Sequence, residues 1–437
     1  MKFTDLELSP KTIERLAGRG ITAPTPIQQE ALPEALAGRD VLGLARTGTG
    51  KTLAFGLPIA ERLGPSKERG RAPRALILAP TRELALQVAK ELSWIAPHLK
   101  VVAVYGGTGY QAQARELKEG ADVVVATPGR AVDYVRRGVL DLSNVEIAVL
   151  DEADEMLSMG FEEDVEYLLS KTPEDRQTLL FSATLPRWAE RLVKRHLKDP
   201  KVANVVTDEK VRYTEEVYKT PSFAREAALA NLIFAKNPAR ATVFVRTKAE
   251  ADEVAEALRQ SGLPAEAVHG DLGQRERERV IRAFREGRTK TLVATDVAAR
   301  GLDIPEVDLV VHYRLPDKAE SYQHRSGRTA RAGKTGTVAI LEGLREGFQV
   351  RRLEKAVGRR FKRLELPSSE AARTARLRAL VEEARNQPEE KKAELREIAE
   401  TWIKAGDVDA LAGLLAMLIQ PENPRTPARP KRRRVRR

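Results

Sequence analysis

The chain has 437 residues, of which 42% are hydrophobic, and a net charge of +12. This composition suits globular cores, and the complete absence of cysteine excludes disulfides, thiolate chemistry and cysteine-ligated metals. No apolar run approaches the ~20 residues of a membrane-spanning helix. The N-terminal "MKFTDLELSPKTIERL" is charged where a signal peptide is apolar, so we expect a cytoplasmic protein without a membrane partner.

Short apolar runs alternate with helical patterns from residue 40 onward. The runs are rich in leucine and β-branched residues, as expected for strands that are buried on both faces. They are "DVLGL" (40–44) and residues 74–80, 101–107, 122–128, 147–153 and 178–184. The alternation is typical of βαβ units and predicts a first parallel α/β domain over residues 1–206.

A charged segment without a clear apolar period, residues 207–219, is predicted to be a linker. A second series of apolar runs follows it and predicts a second parallel α/β domain over residues 220–366. The runs of this series are residues 241–247, 265–270, 290–296, 308–316 and 336–342.

The strand pattern stops near Pro367, and residues 367–420 are predicted to be a helical extension. Its three helices, over 369–386, 389–405 and 407–419, either pack back on the second domain or pair with a second copy of the chain as a homodimer. The third helix is apolar on more than one face, which favours self-association. Residues 421–437 are expected to be a disordered basic tail that binds RNA, since the last thirteen residues carry eight basic groups and no acid.

Two short motifs in the first domain carry the chemistry of phosphate transfer. "LARTGTGKT" (44–52) follows an apolar strand, as a phosphate-binding loop does; Lys51 would reach the β- and γ-phosphates and Thr52 would coordinate Mg²⁺. In "VLDEAD" (149–154), Asp151 suits a second Mg²⁺ ligand and Glu152 a general base for an attacking water. Acids at a helix N-terminus are the alternative reading of the second motif.

These motifs, with others in the same order, resemble those of bacterial DEAD-box ATP-dependent RNA helicases over about residues 3 to 333. The resemblance implies an α/β fold of two RecA-like parallel-sheet domains in tandem, followed here by a small all-α extension. It implies ATP and Mg²⁺ as cofactors, with Phe3 stacked on the adenine, Gln28 at the adenine edge and Asp303 at the ribose. The implied loop contacts to ATP are Ala45, Arg46, Thr47, Gly48, Thr49, Gly50, Lys51 and Thr52.

The resemblance also implies residues that couple ATP hydrolysis to RNA. Asp154 would accept hydrogen bonds from the hydroxyls of Ser182 and Thr184. The candidates for RNA contact are Thr81, Arg82, Gly107, Thr127 and Arg130 in the first domain and Arg246 and Thr295 in the second. Few aromatic residues accompany them, which favours a sequence-independent grip on the RNA backbone over base stacking.

"HRSGRTARAG" (324–333) resembles the last motif of the family. Three of its arginines are spaced by three residues, which predicts one shared face of a helical turn that must meet an anion. The resemblance assigns Arg328 and Arg331 to the γ-phosphate as arginine fingers, with His324 and Arg325 at the domain interface. Ala330 stands where the family usually has glycine.

The sequence therefore predicts an RNA-stimulated ATPase that unwinds short duplexes locally or remodels ribonucleoproteins. An ATP-gated RNA clamp with little unwinding shares the same motifs and stays open as an alternative. A DNA translocase is a further alternative, which the DEAD-box motifs disfavour.

Overall fold

The fold is described from a computed structural model, in which the described residues form two compact units, one up to residue 205 and one from residue 213 onward. Each unit contains one seven-stranded parallel sheet among these residues, so the prediction of two parallel-sheet domains in tandem is confirmed. The described residues are 1–45, 48–65, 70–205, 213–221, 224–296, 305–330, 335–410 and 412–413.

The sheet of the first unit has the strand order β3-β4-β2-β5-β6-β1-β7, with every pair parallel. Its strands are β1 (Val41–Leu44), β2 (Ala75–Leu78), β3 (Val101–Val104), β4 (Val123–Ala126), β5 (Ile147–Asp151), β6 (Gln177–Ser182) and β7 (Lys201–Asn204). The sequence analysis missed β7, an edge strand whose Val202 is exposed and whose burial is therefore incomplete.

Helices cover both faces of this sheet. After a short 3-10 helix (Phe3–Asp5), they are α1 (Pro10–Gly18), α2 (Pro26–Leu36), α3 (Lys51–Arg62), α4 (Arg82–Ile95), α5 (Tyr110–Lys118), α6 (Pro128–Arg136), α7 (Ala153–Ser158), α8 (Glu162–Leu169) and α9 (Arg187–His196). Successive strand residues point to opposite faces, so Ile77 lies in one core cluster and its neighbours Leu76 and Leu78 in the other.

The sheet of the second unit has the order β10-β11-β9-β12-β13-β8-β14, again parallel throughout. Its strands are β8 (Tyr213–Lys219), β9 (Ala241–Val245), β10 (Ala265–Val268), β11 (Thr291–Thr295), β12 (Leu309–His312), β13 (Gly336–Glu342) and β14 (Lys362–Leu364). The helices described here are α10 (Arg225–Lys236), α11 (Lys248–Gln260), α12 (Gln274–Arg285), α13 (Ala319–Ser326), α14 (Gly347–Val357), α15 (Ser369–Arg385) and α16 (Glu389–Ala405).

The predicted linker over 207–219 is wrong for residues 213–219, which form β8 between β13 and β14. Its charges suggested a solvated segment, but both acids of β8 have basic partners in the fold. Arg359 contacts Glu215 at 3.0 Å, and Lys236 contacts Glu216 at 2.7 Å. The remaining residues of the predicted linker lie outside the described residues.

The first helix of the predicted extension, α15, packs on the second unit. Ala372 is buried, and the guanidinium of Arg376 lies over the ring of Phe234 while donating to the carbonyl of Ser261. Most of the third predicted helix and the whole basic tail lie outside the described residues. Among the residues that are described, no helix combines the length and apolar character needed to span a membrane.

Candidate active site

The carboxyl edge of the first sheet collects most of the functional residues predicted for that unit. Lys51 and Thr52 follow β1 at the start of α3, Asp151 ends β5, and Ser182 ends β6. Because the strands are parallel, their carboxyl ends meet at one edge, which is where α/β sheets bind ligands.

The loop after β1 is held by two side chains from the start of α2 and the residue before it. The Thr25 hydroxyl donates to the carbonyl of Thr49 at 2.7 Å, and Gln28 Nε2 donates to the carbonyl of Gly50 at 2.9 Å. Gly48 and Gly50 have φ angles of 83° and 91°, a left-handed region that glycine adopts without strain. Because these hydrogen bonds hold the loop carbonyls on one side, the N–H groups of the loop can point towards a phosphate on the other.

Gly50→Ala should abolish high-affinity binding of a nucleoside triphosphate. A Cβ atom at Gly50 would lie 2.4 Å from Gln28 Nε2 on a backbone with positive φ, so the loop must shift. We expect at least a tenfold rise in the Kd, corresponding to about 1.4 kcal/mol, in titrations with a fluorescent ATP analogue. Gly18→Ala is the matched control, because nothing lies within 4 Å of its Cβ position; equal binding by both variants would contradict this prediction.

Lys51 and Asp151 form a buried ion pair at the centre of this edge. Lys51 Nζ lies 3.8 Å from Asp151 Oδ1, and neither atom has a hydrogen-bond partner. Burial raises the pKa of Asp151 to about 6, with Lys51 opposing the rise and Glu152 adding to it. A buried cation and a buried carboxylate oxygen without partners are the groups that a triphosphate and a Mg²⁺ ion would satisfy, so Asp151 fits the predicted metal ligand.

Glu152 occupies the turn between β5 and α7 with a φ of 54°, one of four described non-glycine residues with positive φ. Such backbone strain is common at functional sites, because it fixes a side chain where an ordinary helix start would not. Glu152 directly follows Asp151, so it lies at the same edge of the sheet as the phosphate loop.

Asp154 is joined to the segment after β6. Its Oδ2 accepts from both the backbone N–H and the hydroxyl of Thr184, each at 2.9 Å. The predicted bond from the Ser182 hydroxyl to this carboxylate is wrong: the Ser182 hydroxyl instead accepts from the backbone N–H of Asp154 at 3.1 Å. The carbonyl of Ser182 also accepts from the N–H of Ala45, so this segment touches the phosphate loop as well.

The residues predicted to read adenine are both buried in the structure. Phe3 packs in the core of the first unit and is 3% exposed. Gln28 is engaged with the phosphate loop through its amide nitrogen and with the N–H of Thr25 through its amide oxygen. Their contacts with a base stay predictions.

The RNA candidates of the first unit lie at the ends of β2, β3 and β4, the half of the edge away from the phosphate loop. Gln113 joins the segment after β3 to α6, because it bonds the backbone of Tyr105 and accepts from Arg130 at 3.4 Å. The guanidinium of Arg82 lies 4.6 Å from the centre of the Tyr105 ring. Thr81 and Thr127 occupy the N-cap positions of α4 and α6, and Gly107 has a φ of 78°.

Sequence analysis did not single out Thr25, Tyr105 or Gln113. Thr25 lies in the segment "GITAPTPIQ" (20–28) and could have been found as the N-cap of a helix that begins with proline. Nothing in the sequence marks Tyr105 or Gln113, because their role depends on contacts between separate segments.

In the second unit, Arg246 follows β9 and Thr295 ends β11, its neighbour in the sheet. Arg246 pairs with Asp317 at 3.0 Å, and its backbone N–H donates to Glu250. Thr295 is buried. Parallel pairing places both residues at the carboxyl edge of the second sheet.

The expected shared face of three arginines is wrong, because α13 ends at Ser326. Arg325 lies inside the helix, is buried and donates to both carboxylate oxygens of Asp296 at 2.5 and 2.7 Å. Its anion is therefore a carboxylate of its own unit, and its predicted position at the domain interface stays a prediction. Its neighbour His324 lies in the last turn of the same helix.

Arg328 lies beyond the helix, where its carbonyl accepts from the N–H of Val307. Ala330 has a φ of 59°, a left-handed conformation that is strained for a residue with a Cβ atom and that glycine would adopt without strain. Arg331 and Asp303, like Arg46 and Thr47 of the phosphate loop, lie outside the described residues.

Ala330→Gly should stabilise the second unit. Removing the Cβ atom relieves a strain of about 1–2 kcal/mol, and the greater freedom of glycine in the unfolded chain offsets part of the gain. We expect a higher melting temperature for the transition of this unit in scanning calorimetry. Ala356→Gly, in the ordinary helical backbone of α14, is the matched control and should lower it; destabilisation by both changes would refute the strain argument.

The glycine loop, the buried Lys51–Asp151 pair and the parallel sheet together define a P-loop nucleotide-binding protein. Comparisons with known proteins narrow this class. Residues 25–192 match the DEAD/DEAH box helicase family, and residues 224–333 match the helicase conserved C-terminal domain.

Among curated relatives, the chain is 42% identical to the DEAD-box ATP-dependent RNA helicase CshA of Bacillus cereus over 93% of this chain and 78% of the relative. It is 49% identical to the DEAD-box ATP-dependent RNA helicase 53 of rice over 85% of this chain, and it spans 62% of that longer relative. Among solved structures, Dbp5 of Saccharomyces cerevisiae bound to RNA and ADP-BeF3 is similar with a TM-score of 0.73 and 29% identity, covering 85% of this chain and 98% of Dbp5. The chain belongs to the DEAD-box helicase family.

Proposed function

We propose that this protein is an RNA-stimulated ATPase that separates short RNA duplexes or remodels RNA–protein complexes. The observation that supports this best is the buried pair of Lys51 and Asp151, whose facing atoms have no hydrogen-bond partner and lie behind a glycine loop. A second observation supports the RNA part. On the same edge of the sheet, the RNA candidates follow β2, β3 and β4, whereas the ATP candidates follow β1 and β5.

The ATP half of the edge would work through charge and position. Lys51 would bind the β- and γ-phosphates, and Glu152 would take a proton from the attacking water. Thr52 and Asp151 are the residues that would hold Mg²⁺, which would offset the negative charge of the phosphates when bound. Ionised Asp151 is needed for this, and the nearby Lys51 favours that form.

The coupling between ATP and RNA would pass through Asp154 and Thr184. Their two hydrogen bonds join the turn after β5, which carries Glu152, to the segment after β6. The N–H of Ala45 bonds the carbonyl of Ser182, so the phosphate loop is part of the same network. A change at the γ-phosphate would therefore shift the segments that follow β1, β5 and β6 together.

Hydrolysis would require the two units to close around both ligands. Arg328 and Arg331 of the second unit would stabilise the γ-phosphate in the transition state, while Arg246 and Thr295 would bind RNA with the first unit. ATP and RNA would each favour the closed state and so strengthen the binding of the other. Closure on a bent single strand would separate a short duplex locally.

The test compares steady-state ATP hydrolysis with poly(U) RNA, with DNA of the same length and without nucleic acid. We expect stimulation by RNA and release of a labelled strand from a short RNA duplex over many turnovers. ATPase stimulation without strand release would favour the ATP-gated clamp, and equal stimulation by DNA would favour the translocase.

Four further features stay predictions: Mg²⁺ dependence, a cytoplasmic location, a homodimer formed through the extension, and RNA binding by the basic tail. Because α15 packs on the second unit, a dimer would involve the residues after it. Light scattering of the full chain and of a chain that ends at residue 386 would test the dimer. Deleting residues 425–437 should weaken RNA binding and flatten its salt dependence.

A further inference from the structure

Helix α14 of the second unit has one apolar and one basic face. Val350 and Leu353 are buried against the unit, which fixes the orientation of the helix. The opposite face carries Phe348, Arg351, Arg352 and Lys355, all exposed. Their spacing of three, four and seven residues places them together on one side of the helix; these four side chains are called the α14 face below.

The three cations of the α14 face make no ion pair in the described structure, and the same holds for Arg345 just before the helix. Two acids of this segment are engaged elsewhere: Glu346 pairs with buried Arg225 at 2.6 Å, and Glu354 pairs with Arg363 at 2.6 Å. A third, Glu342 at the end of β13, is buried, and its carboxylate and the guanidinium of Arg351 both lie within 4 Å of the Cβ position of Gly347. One acid beside three exposed cations leaves the face with a net positive charge, which is the electrostatic pattern that attracts a polyanion.

Phe348 is 70% exposed and lies among these cations. Of the aromatic side chains whose burial the structure describes, it is the one that is largely exposed to solvent, and the others are at least partly buried. Leu344, in the loop that leads into the helix, is 84% exposed. An acidic peptide or an anionic membrane could meet the charges, but an open aromatic ring between two arginines also suits a nucleic-acid base.

The α14 face begins at the edge of the sheet that carries the RNA candidates of this unit. The register pairs Phe244 of β9 with His312 of β12, and His312 with Ile340 of β13. Arg246 lies two residues beyond Phe244, and Leu344 lies four residues beyond Ile340. Two strand spacings of about 4.8 Å separate β9 from β13, so the offset across the sheet between Arg246 and the loop that leads into α14 is about 10 Å.

We propose that the α14 face binds single-stranded RNA, with Arg351, Arg352 and Lys355 at its phosphates and one base stacked on Phe348. This inference rests on the proposed function, which supplies the RNA held at Arg246 and Thr295. The site would extend the RNA-binding surface beyond Arg246 and Thr295. It would also add a stacked base to an interface that is otherwise expected to contact only the RNA backbone.

The experiment measures the binding of fluorescein-labelled oligouridines of increasing length to the full chain by anisotropy. Phe348→Ala should weaken binding at least about fivefold for long oligouridines, because one stacked base is lost, and should leave the shortest ones unaffected. Arg351→Glu combined with Arg352→Glu should reduce the slope of log affinity against log salt by about 1.4, since each phosphate contact contributes about 0.7. RNA with 4-thiouridine should crosslink to the segment that contains Phe348.

Arg373→Glu combined with Arg378→Glu is the matched control, because both arginines are exposed on α15 of the same unit and make no described ion pair. An equal loss of RNA binding in this control would show that the effect depends on net charge alone, which would overturn the proposal. Unchanged binding by the α14 variants, with Arg246→Ala still weakening it, would overturn the α14 site and leave the proposed function intact. A wild-type chain that binds no RNA would overturn the proposed function itself. Loss of binding to vesicles of phosphatidylcholine and phosphatidylserine, without loss of RNA binding, would instead assign the face to a membrane surface.

Discussion

Glu152→Gln will remove RNA-stimulated ATP hydrolysis while the chain still folds and binds ATP. The substitution keeps the size of the side chain and the strained turn after β5, but it removes the group that would accept a proton from water. General base catalysis contributes about 10²- to 10⁴-fold, so we expect a loss of that size in kcat. The measurements are steady-state phosphate release with saturating RNA and a parallel titration with a fluorescent ATP analogue.

Glu163→Gln makes the same chemical change on the exposed surface of α8 and should leave turnover unchanged. RNA-stimulated turnover that survives in Glu152→Gln would show that another group activates the water. The assignment of the general base would then fail, although the phosphate loop and its Lys51 would keep their roles.

Arg328→Ala and Arg325→Ala should fail in different ways, although the two residues are three positions apart. Arg328 lies beyond α13, and its loss should lower kcat by about 10³-fold as for an arginine finger, with the melting temperature unchanged. Arg325 is buried against Asp296, and its removal leaves that carboxylate without its cation. We expect a loss of about 3 kcal/mol in the stability of the second unit.

Calorimetry and single-turnover hydrolysis, measured on the same protein preparations, separate the two outcomes. Arg325→Lys keeps the charge but cannot form both hydrogen bonds to Asp296, so it should recover only part of the stability. A stable Arg325→Ala variant that loses only hydrolysis would mean that Arg325, rather than Arg328, acts on the phosphate.

Periodicity predicted the strands that are mainly apolar, including β3 and β10 at the edges of the two sheets. It missed β8, which contains two acids that pair with Arg359 and Lys236, partners distant in sequence. In the candidate site, motif order indicated Lys51, Asp151 and Glu152, because these residues lie in contiguous segments. Contacts between segments, such as Gln113 with Arg130, leave no local signal in the sequence.

The arginines of "HRSGRTARAG" illustrate the same limit. Their spacing suggested one helical face, but Gly327 ends the helix between Arg325 and Arg328. The sequence could show that the segment must meet an anion, whereas only the fold shows that Asp296 already supplies one for Arg325.

The hydrogen bonds from Thr25 and Gln28 to the phosphate loop have a consequence for nucleotide selectivity. Since Gln28 holds the carbonyl of Gly50 in the structure, a substitution there alters the loop as well as any contact with a base. Gln28→Ala should therefore weaken the binding of ATP and also the binding of inorganic tripolyphosphate, which has no base. A chain built this way cannot be converted to another nucleotide by changing its base contact alone, because the same amide supports the part of the ligand that all nucleotides share.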